Sequence, residues 1–160
     1  LDDRADRAAI ADCVLAQVAD WARAGALGDL GSETAQITFG SRLAGFGLVL
    51  MQVQPHARNG GDIAIARDWL AGLARREIAF WETDAPPGAA SGNLRLWAAL
   101  GVAAAAAVLD DQAMRLWAAS SSSYVLCSAN PDGSLPQEMR RGRLALRYQL
   151  HAIAPLAVTA

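Results

Sequence analysis

The sequence predicts an all-α protein whose helices pack as antiparallel pairs. Apolar residues recur at spacings of three and four along most of the chain, which is the period of one helix face. No run alternates between apolar and polar residues over a useful strand length. The chain has 160 residues, of which 53% are apolar and 19% charged, a balance typical of a well-packed globular protein. A chain of this length fits one core, so we expect residues 1–160 to form a single domain.

The first half of the chain predicts three helices. The first covers residues 4–24 and ends before Gly25. The second covers residues 32–50 and ends before Pro55, and the third opens at residue 62 and covers 62–80. The second helix is unusual in its glycines, which suggest a close contact with another helix. These glycines are Gly40, Gly45 and Gly47.

Three more helices are predicted in the second half, after a Pro-Pro-Gly loop at residues 84–91. They cover residues 93–109, residues 110–126 with an aspartate at the start, and residues 136–155. The last two are separated by the turn sequence at residues 130–134. Six helices joined by short loops allow a bundle, a helical solenoid or part of an α/α barrel.

Charge and hydropathy exclude several classes of function. The net charge is −2 and no basic arm is present, which argues against nucleic acid as a partner. The most apolar runs, residues 43–51 and 102–109, are shorter than the roughly 18 residues of a membrane span.

Cys13 and Cys127 are too few for a disulfide framework, have no metal-type spacing, and leave the redox compartment open. The start at Leu1, without Met, leads us to expect a processed or trimmed end.

Three stretches, in order along the chain, carry a resemblance to a known family. Residues 92–99 (GNLRLWAA) resemble an Asn-Asn-His-x-x-Trp-Ala-Ala motif. Residues 130–141 (NPDGSLPQEMRR) resemble a Gly-x-Leu-Pro-x-Glu-Leu turn followed by basic residues, and residues 145–148 (ALRY) resemble Ala-Leu-x-Tyr. All three motifs belong to the alginate lyases of polysaccharide lyase family 5, which the chain resembles along nearly its whole length.

The resemblance implies an incomplete α/α toroid that lacks family segments at both ends. It also implies a periplasmic or secreted lyase that cleaves a 4-linked uronic-acid polymer by β-elimination, with an acidic polysaccharide as its partner and no metal or cofactor. Carried over residue by residue, the family's catalytic Asn, Arg and Tyr are Asn93, Arg141 and Tyr148. The catalytic His falls on Leu94, which cannot act in its place.

Three further residues are candidates for substrate binding: Arg140, Trp97 and His151. Arg140 belongs to the basic cluster, Trp97 offers a ring for stacking on a sugar, and His151 offers an imidazole three residues after Tyr148. Each candidate also has a structural interpretation. Asn93 fits a helix N-cap, the arginines a solvated helix face, Trp97 a core position and His151 a partly buried structural histidine.

The chemistry of β-elimination requires these residue types. The C5 proton of a uronate is removed more easily once the neighbouring carboxylate is neutralised, and an Asn amide and an Arg guanidinium can do this. Tyr148 lies seven residues after Arg141, which we interpret as two turns along one helix face. It would serve as base and then as acid. Two alternatives stay open: a lyase-like protein that binds acidic exopolysaccharide without cleaving it, and a helical protein-interaction module.

Overall fold

The computed structural model describes residues 3–159, and every regular element in that range is helical. The start expected at Leu1 lies outside the described residues. The α-helices are α1 (Asp3–Arg23), α2 (Glu33–Ile37), α3 (Gly40–Val53), α4 (Gly60–Thr83), α5 (Asn93–Leu109), α6 (Gln112–Leu126), α7 (Pro136–Met139) and α8 (Ala145–Thr159), and short 3-10 turns cover Gln54–His56 and Gly142–Leu144. The predicted all-α class is confirmed.

Helix α5 lies at the centre, in contact with α3, α4, α6 and α8. Its neighbours in sequence run antiparallel to it. Arg67 near the start of α4 donates to the carbonyl of Val108 at the end of α5, while Glu82 at the end of α4 pairs with Arg95 near the start of α5 at 3.2 Å. Arg95 also lies 3.3 Å from Ser121, late in α6. Antiparallel pairing of consecutive helices is therefore confirmed, as expected for an arc of an α/α toroid.

Helices α3 and α5 instead run parallel, in close contact through glycines. A Cβ on Gly40 would lie 2.4 Å from the backbone of Ala98, and one on Gly47 would lie 2.6 Å from the Cβ of Ala104. From the other side, a Cβ on Gly101 would lie 2.7 Å from the carbonyl oxygen of Gly40. The close contact predicted from the glycines is confirmed at Gly40 and Gly47 and is wrong at Gly45, where a Cβ would meet nothing within 4 Å. The contact sets the start of α3 beside the start of α5.

Two predicted helices are divided in the structure. The second is broken between α2 and α3, where the hydroxyl of Thr38 donates to the carbonyl of Thr34 and competes with the helical pattern. The sixth is broken between α7 and α8, where Gly142 adopts a φ of 57°. Helix α8 then continues through Pro155, where the prediction ended it.

The start of α4 also differs from the prediction. The capping residue is Asn59, whose Oδ1 accepts from the backbone N–H groups of Gly61 and Asp62. The carboxylate of Asp62 pairs instead with Arg23 at the end of α1. This ion pair joins the end of α1 to the start of α4. No helix within residues 3–159 has the combined length and hydropathy that crossing a bilayer requires.

Candidate functional site

The start of α5 is held by a buried carboxylate from α7. The backbone N–H and the side-chain Nδ2 of Asn93 both donate to Oε1 of Glu138, at 2.8 and 3.0 Å. Glu138 is fully buried, and a Cβ on Gly92 would lie 2.5 Å from the same oxygen. A carboxylate at this place satisfies an N–H that has no partner within the helix, and it suits the positive end of the helix dipole.

The structure excludes one of the two interpretations of Asn93, that of a helix N-cap. The N-cap of α5 is Gly92, and the Asn93 side chain makes no cap bond. Capping by Asn93 is therefore wrong, because the residue lies one position inside the helix and its side chain turns towards Glu138 and His151. Asn93 is only 3% exposed. One of its two amide hydrogens is used by Glu138, and the second is left for another acceptor.

His151 of α8 joins the site through one ring nitrogen. Its Nδ1 lies 3.1 Å from Oδ1 of Asn93 and accepts a hydrogen bond of 3.0 Å from Nε1 of Trp97. The ring centroids of Trp97 and His151 are 5.3 Å apart. Trp97 is half-buried and so is not the core residue of its structural interpretation, and His151 is exposed, not the partly buried histidine of its own. Asn93 and Trp97, near the start of α5, are thus in direct contact with His151 in the middle of α8.

Two cavities meet at His151. The larger, of about 480 Å³, is lined by Thr38, Ser41, Arg42, Leu94, Trp97 and His151. The smaller, of about 230 Å³, is lined by Leu144, Arg147, Tyr148 and His151. The lining of both contains arginine and no carboxylate, so these residues attract an acidic ligand and place no negative charge against it.

The predicted pair of Arg141 and Tyr148 is in contact, although the helix that was expected to align them is broken. The guanidinium carbon of Arg141 lies 4.6 Å from the centroid of the Tyr148 ring. Arg141 precedes the 3-10 turn and so is not two turns below Tyr148 on one helix. Between the two residues the backbone passes through Gly142, at a φ of 57°, and the 3-10 turn Gly142–Leu144.

Three further arginines, the predicted Arg140 and the unpredicted Arg42 and Arg147, lie near the candidate site. Arg140 is exposed at the end of α7 and lines neither cavity. Arg42 lines the larger cavity and Arg147 the smaller one, and neither is among the site residues predicted from the sequence. Nη1 of Arg42 donates to the backbone and hydroxyl oxygens of Thr38, which fixes the guanidinium above the cavity. No local pattern marks Arg42, since the parallel contact of α3 with α5 places it there.

Two of the other cavities offer less for this chemistry, although Arg42 lines the first of them as well. The largest, of about 760 Å³, is an apolar groove between α1 and α3 that includes Trp21 and Phe46. The other, of about 300 Å³, includes Arg76 and Glu77 of α4. Neither contains a residue of the three motifs described above, so we assign the candidate site to the cavities at His151.

The helical architecture and the comparison with known proteins agree. The fold is that of an α/α protein of the toroid type, with α5 at the centre of the described arc. The alginate lyase family matches residues 9–160, and the chain therefore belongs to this family.

Individual relatives extend over nearly the whole chain. A "Polysaccharide lyase" of Stenotrophomonas maltophilia is 34% identical over 158 residues, which cover 95% of this chain and 46% of the relative. An "Alginate lyase" of Pseudomonas putida is 31% identical over 163 residues, covering 98% of this chain and 44% of the relative. An "Alginate lyase" of Pseudomonas syringae is 30% identical over 155 residues, covering 93% and 40%. The chain spans less than half the length of these relatives.

Proposed function

We propose that this chain carries the chemistry of a polysaccharide lyase that cleaves a 4-linked uronic-acid polymer, of the polymannuronate or polyglucuronate type, by β-elimination. The observation that supports this best is the contact of Arg141 with Tyr148 beside the cavities at His151. Membership of the alginate lyase family supports a polysaccharide lyase. We further propose that the protein acts in the periplasm or outside the cell, where such polymers occur.

In the proposed reaction Tyr148 transfers the proton. As a phenolate it takes the C5 proton of the uronate, the C4–O4 bond breaks, and a double bond forms between C4 and C5. The phenol so formed gives its proton to the leaving O4, which restores the phenolate. A single side chain acting as base and then as acid is consistent with general acid–base catalysis in which both atoms lie on one side of the ring.

The uronate carboxylate must be stabilised as C5 loses its proton. A guanidinium offers a planar fork that matches a carboxylate, and Arg141 lies beside Tyr148 with its side chain exposed. The second amide hydrogen of Asn93 is a further donor, although the residue is buried behind His151. Each donor aimed at developing negative charge is worth about 3 kcal/mol of the activation barrier.

A second candidate function is binding of acidic polysaccharide without cleavage. Leu94, which lines the larger cavity, favours it because an apolar side chain can neither donate to a carboxylate nor accept a proton. The two functions share a ligand and differ in turnover. A helical protein-interaction module is the third possibility, and it requires no affinity for uronates.

The test combines turnover and binding. Incubation with polymannuronate and polyglucuronate should produce the ultraviolet absorbance of an unsaturated uronate, and Tyr148→Phe should reduce the rate by about 100-fold or more. Tyr124→Phe is the matched control, because Arg95 lies 5.0 Å from that ring but Tyr124 lines neither cavity. Equal loss in both variants, or none in Tyr148→Phe, contradicts the role of Tyr148. Calorimetric binding without product supports the second function, and absence of binding supports the third.

A further inference from the structure

We propose that His151 binds the uronate carboxylate through Nε2–H, as a hydrogen-bond donor to the substrate and not as the base. This inference rests on the proposed function, because it assigns a role within the same site. The juxtaposition that carries it is the contact of Nδ1 with both Asn93 and Trp97, in a ring that lines both cavities.

Trp97 determines which nitrogen carries the proton in the neutral ring. An indole Nε1–H can only donate, so at 3.0 Å from Nδ1 it requires a lone pair there. The proton of the neutral imidazole then lies on Nε2. The opposite tautomer would place the N–H of Nδ1 against the N–H of Trp97.

Asn93 suits the charged ring. When both nitrogens are protonated, Nδ1–H can donate to Oδ1 of Asn93, 3.1 Å away, and the hydrogen bond from Trp97 is given up because Nδ1 has no lone pair. Nε2 carries a proton in this form as well. Trp97 therefore favours the neutral ring and Asn93 the charged ring, and Nε2 carries a proton in both forms. A nitrogen that keeps its proton cannot accept the C5 proton, which leaves that task to Tyr148.

The surroundings of the ring favour an anionic ligand. Arg42 lines the cavity on one side of His151 and Arg147 lines the cavity on the other. A polyuronate that crosses both cavities thus meets a cation on each side of the imidazole, and one of its carboxylates can lie at Nε2. Leu94, next to Asn93, offers no donor to compete for it.

Nitrogen-15 NMR of the histidine ring tests the tautomer without any substrate. We expect the neutral ring of the wild-type protein to be protonated at Nε2, and Trp97→Phe to shift the proton towards Nδ1, where Asn93 accepts it. A wild-type ring protonated at Nδ1, or a tautomer that Trp97→Phe leaves unchanged, overturns the inference.

Kinetics and binding test the contact with the carboxylate. His151→Gln keeps an N–H close to the place of Nε2, whereas His151→Phe keeps only the ring. We expect His151→Phe to lower kcat/KM on polyuronate by about 100-fold and His151→Gln by less than about 10-fold. Equal loss in the two variants, or none in either, overturns the inference while leaving the Tyr148 result in place.

Binding separates failure of this inference from failure of the proposed function. We expect His151→Phe to weaken the binding of an acidic uronate oligomer to the Tyr148→Phe variant, in which turnover is removed. The same oligomer with its carboxylates reduced to alcohols should bind both variants equally. An equal loss of affinity for the neutral oligomer overturns the carboxylate contact. Circular dichroism of each variant establishes that the fold is retained.

Discussion

Replacing Glu77 by glutamine should remove much of the pH dependence of folding stability. Glu77 of α4 is 2% exposed, and its Oε1 accepts a hydrogen bond of 3.0 Å from Nε1 of Trp81. Burial raises the pKa of Glu77 from 4.5 to about 7, against the smaller lowering effects of the Trp81 hydrogen bond and the charge of Arg76. The carboxyl group is therefore neutral in the folded protein at pH values where it ionises in the unfolded chain.

The sign and size of the effect follow from this difference in pKa. Because the folded pKa is raised, the stability is fully present below about pH 4.5 and is lost as the pH rises to about 7. A difference of about 2.5 pKa units corresponds to about 3 kcal/mol. Glutamine keeps an oxygen for Trp81 and cannot ionise. The variant should therefore gain about 2 to 3 kcal/mol relative to the wild type between pH 5 and pH 8.

Urea unfolding followed by circular dichroism at several pH values measures this difference. Glu82→Gln is the matched control, since Glu82 also accepts a hydrogen bond from an indole, that of Trp117, but its side chain is 52% exposed. The control should show less than about 1 kcal/mol of pH-dependent change, as is usual for exposed ion pairs. If the curves of Glu77→Gln and the wild type remain parallel from pH 5 to pH 8, the assignment of a raised pKa is refuted.

Three further changes test the packing and the site. Gly101→Ala should destabilise the fold by about 1–3 kcal/mol in urea unfolding, because its Cβ would meet the backbone of α3. Gly72→Ala, with open space around it in α4, should instead stabilise by about 0.5–1 kcal/mol, and similar signs for both would contradict the helix contact. Asn59→Ala removes the N-cap of α4 and should lower the melting temperature by the equivalent of about 1 kcal/mol. Glu138→Ala leaves the buried amide of Asn93 without its acceptor and should cost about 2–3 kcal/mol, whereas Glu138→Gln, which keeps the volume and an oxygen, should cost less; equal losses would contradict the role of the oxygen as acceptor.

Local sequence signals predicted the parts of the fold that depend on neighbouring residues. The bounds of α5 were predicted at both ends, and one of the two aspartates expected at the start of α6 is its N-cap, Asp111, which accepts from the N–H of Met114. The division of the sixth helix was missed because Gly142 is the only local sign of it. What makes the break stable is the burial of Glu138 against α5, a contact between segments far apart in the sequence.

The candidate site was predicted in part for the same reason. Asn93, Tyr148, Arg141 and His151 were singled out by motif, and the structure brings Asn93 to His151 and Arg141 to Tyr148. Their catalytic roles stay predictions. Arg42 was not found, because its position at the cavity depends on the parallel approach of α3 to α5 and on nothing within its own stretch of sequence.

The carboxylate of Glu138 has a consequence for how the chain tolerates change. It accepts a hydrogen bond from the first residue of α5, although it lies 45 positions further along the sequence. The position of the start of α5 is therefore held by a contact outside the loop between α4 and α5. The position of α5 therefore does not depend on the α4–α5 loop alone. Ala85 and Ala89 pack against Trp81 and Ala98, whereas Pro87 and Gly88 between them are exposed. We expect short insertions between Pro87 and Gly88 to leave the geometry around His151 intact, which makes this point a suitable place for a label or an affinity tag.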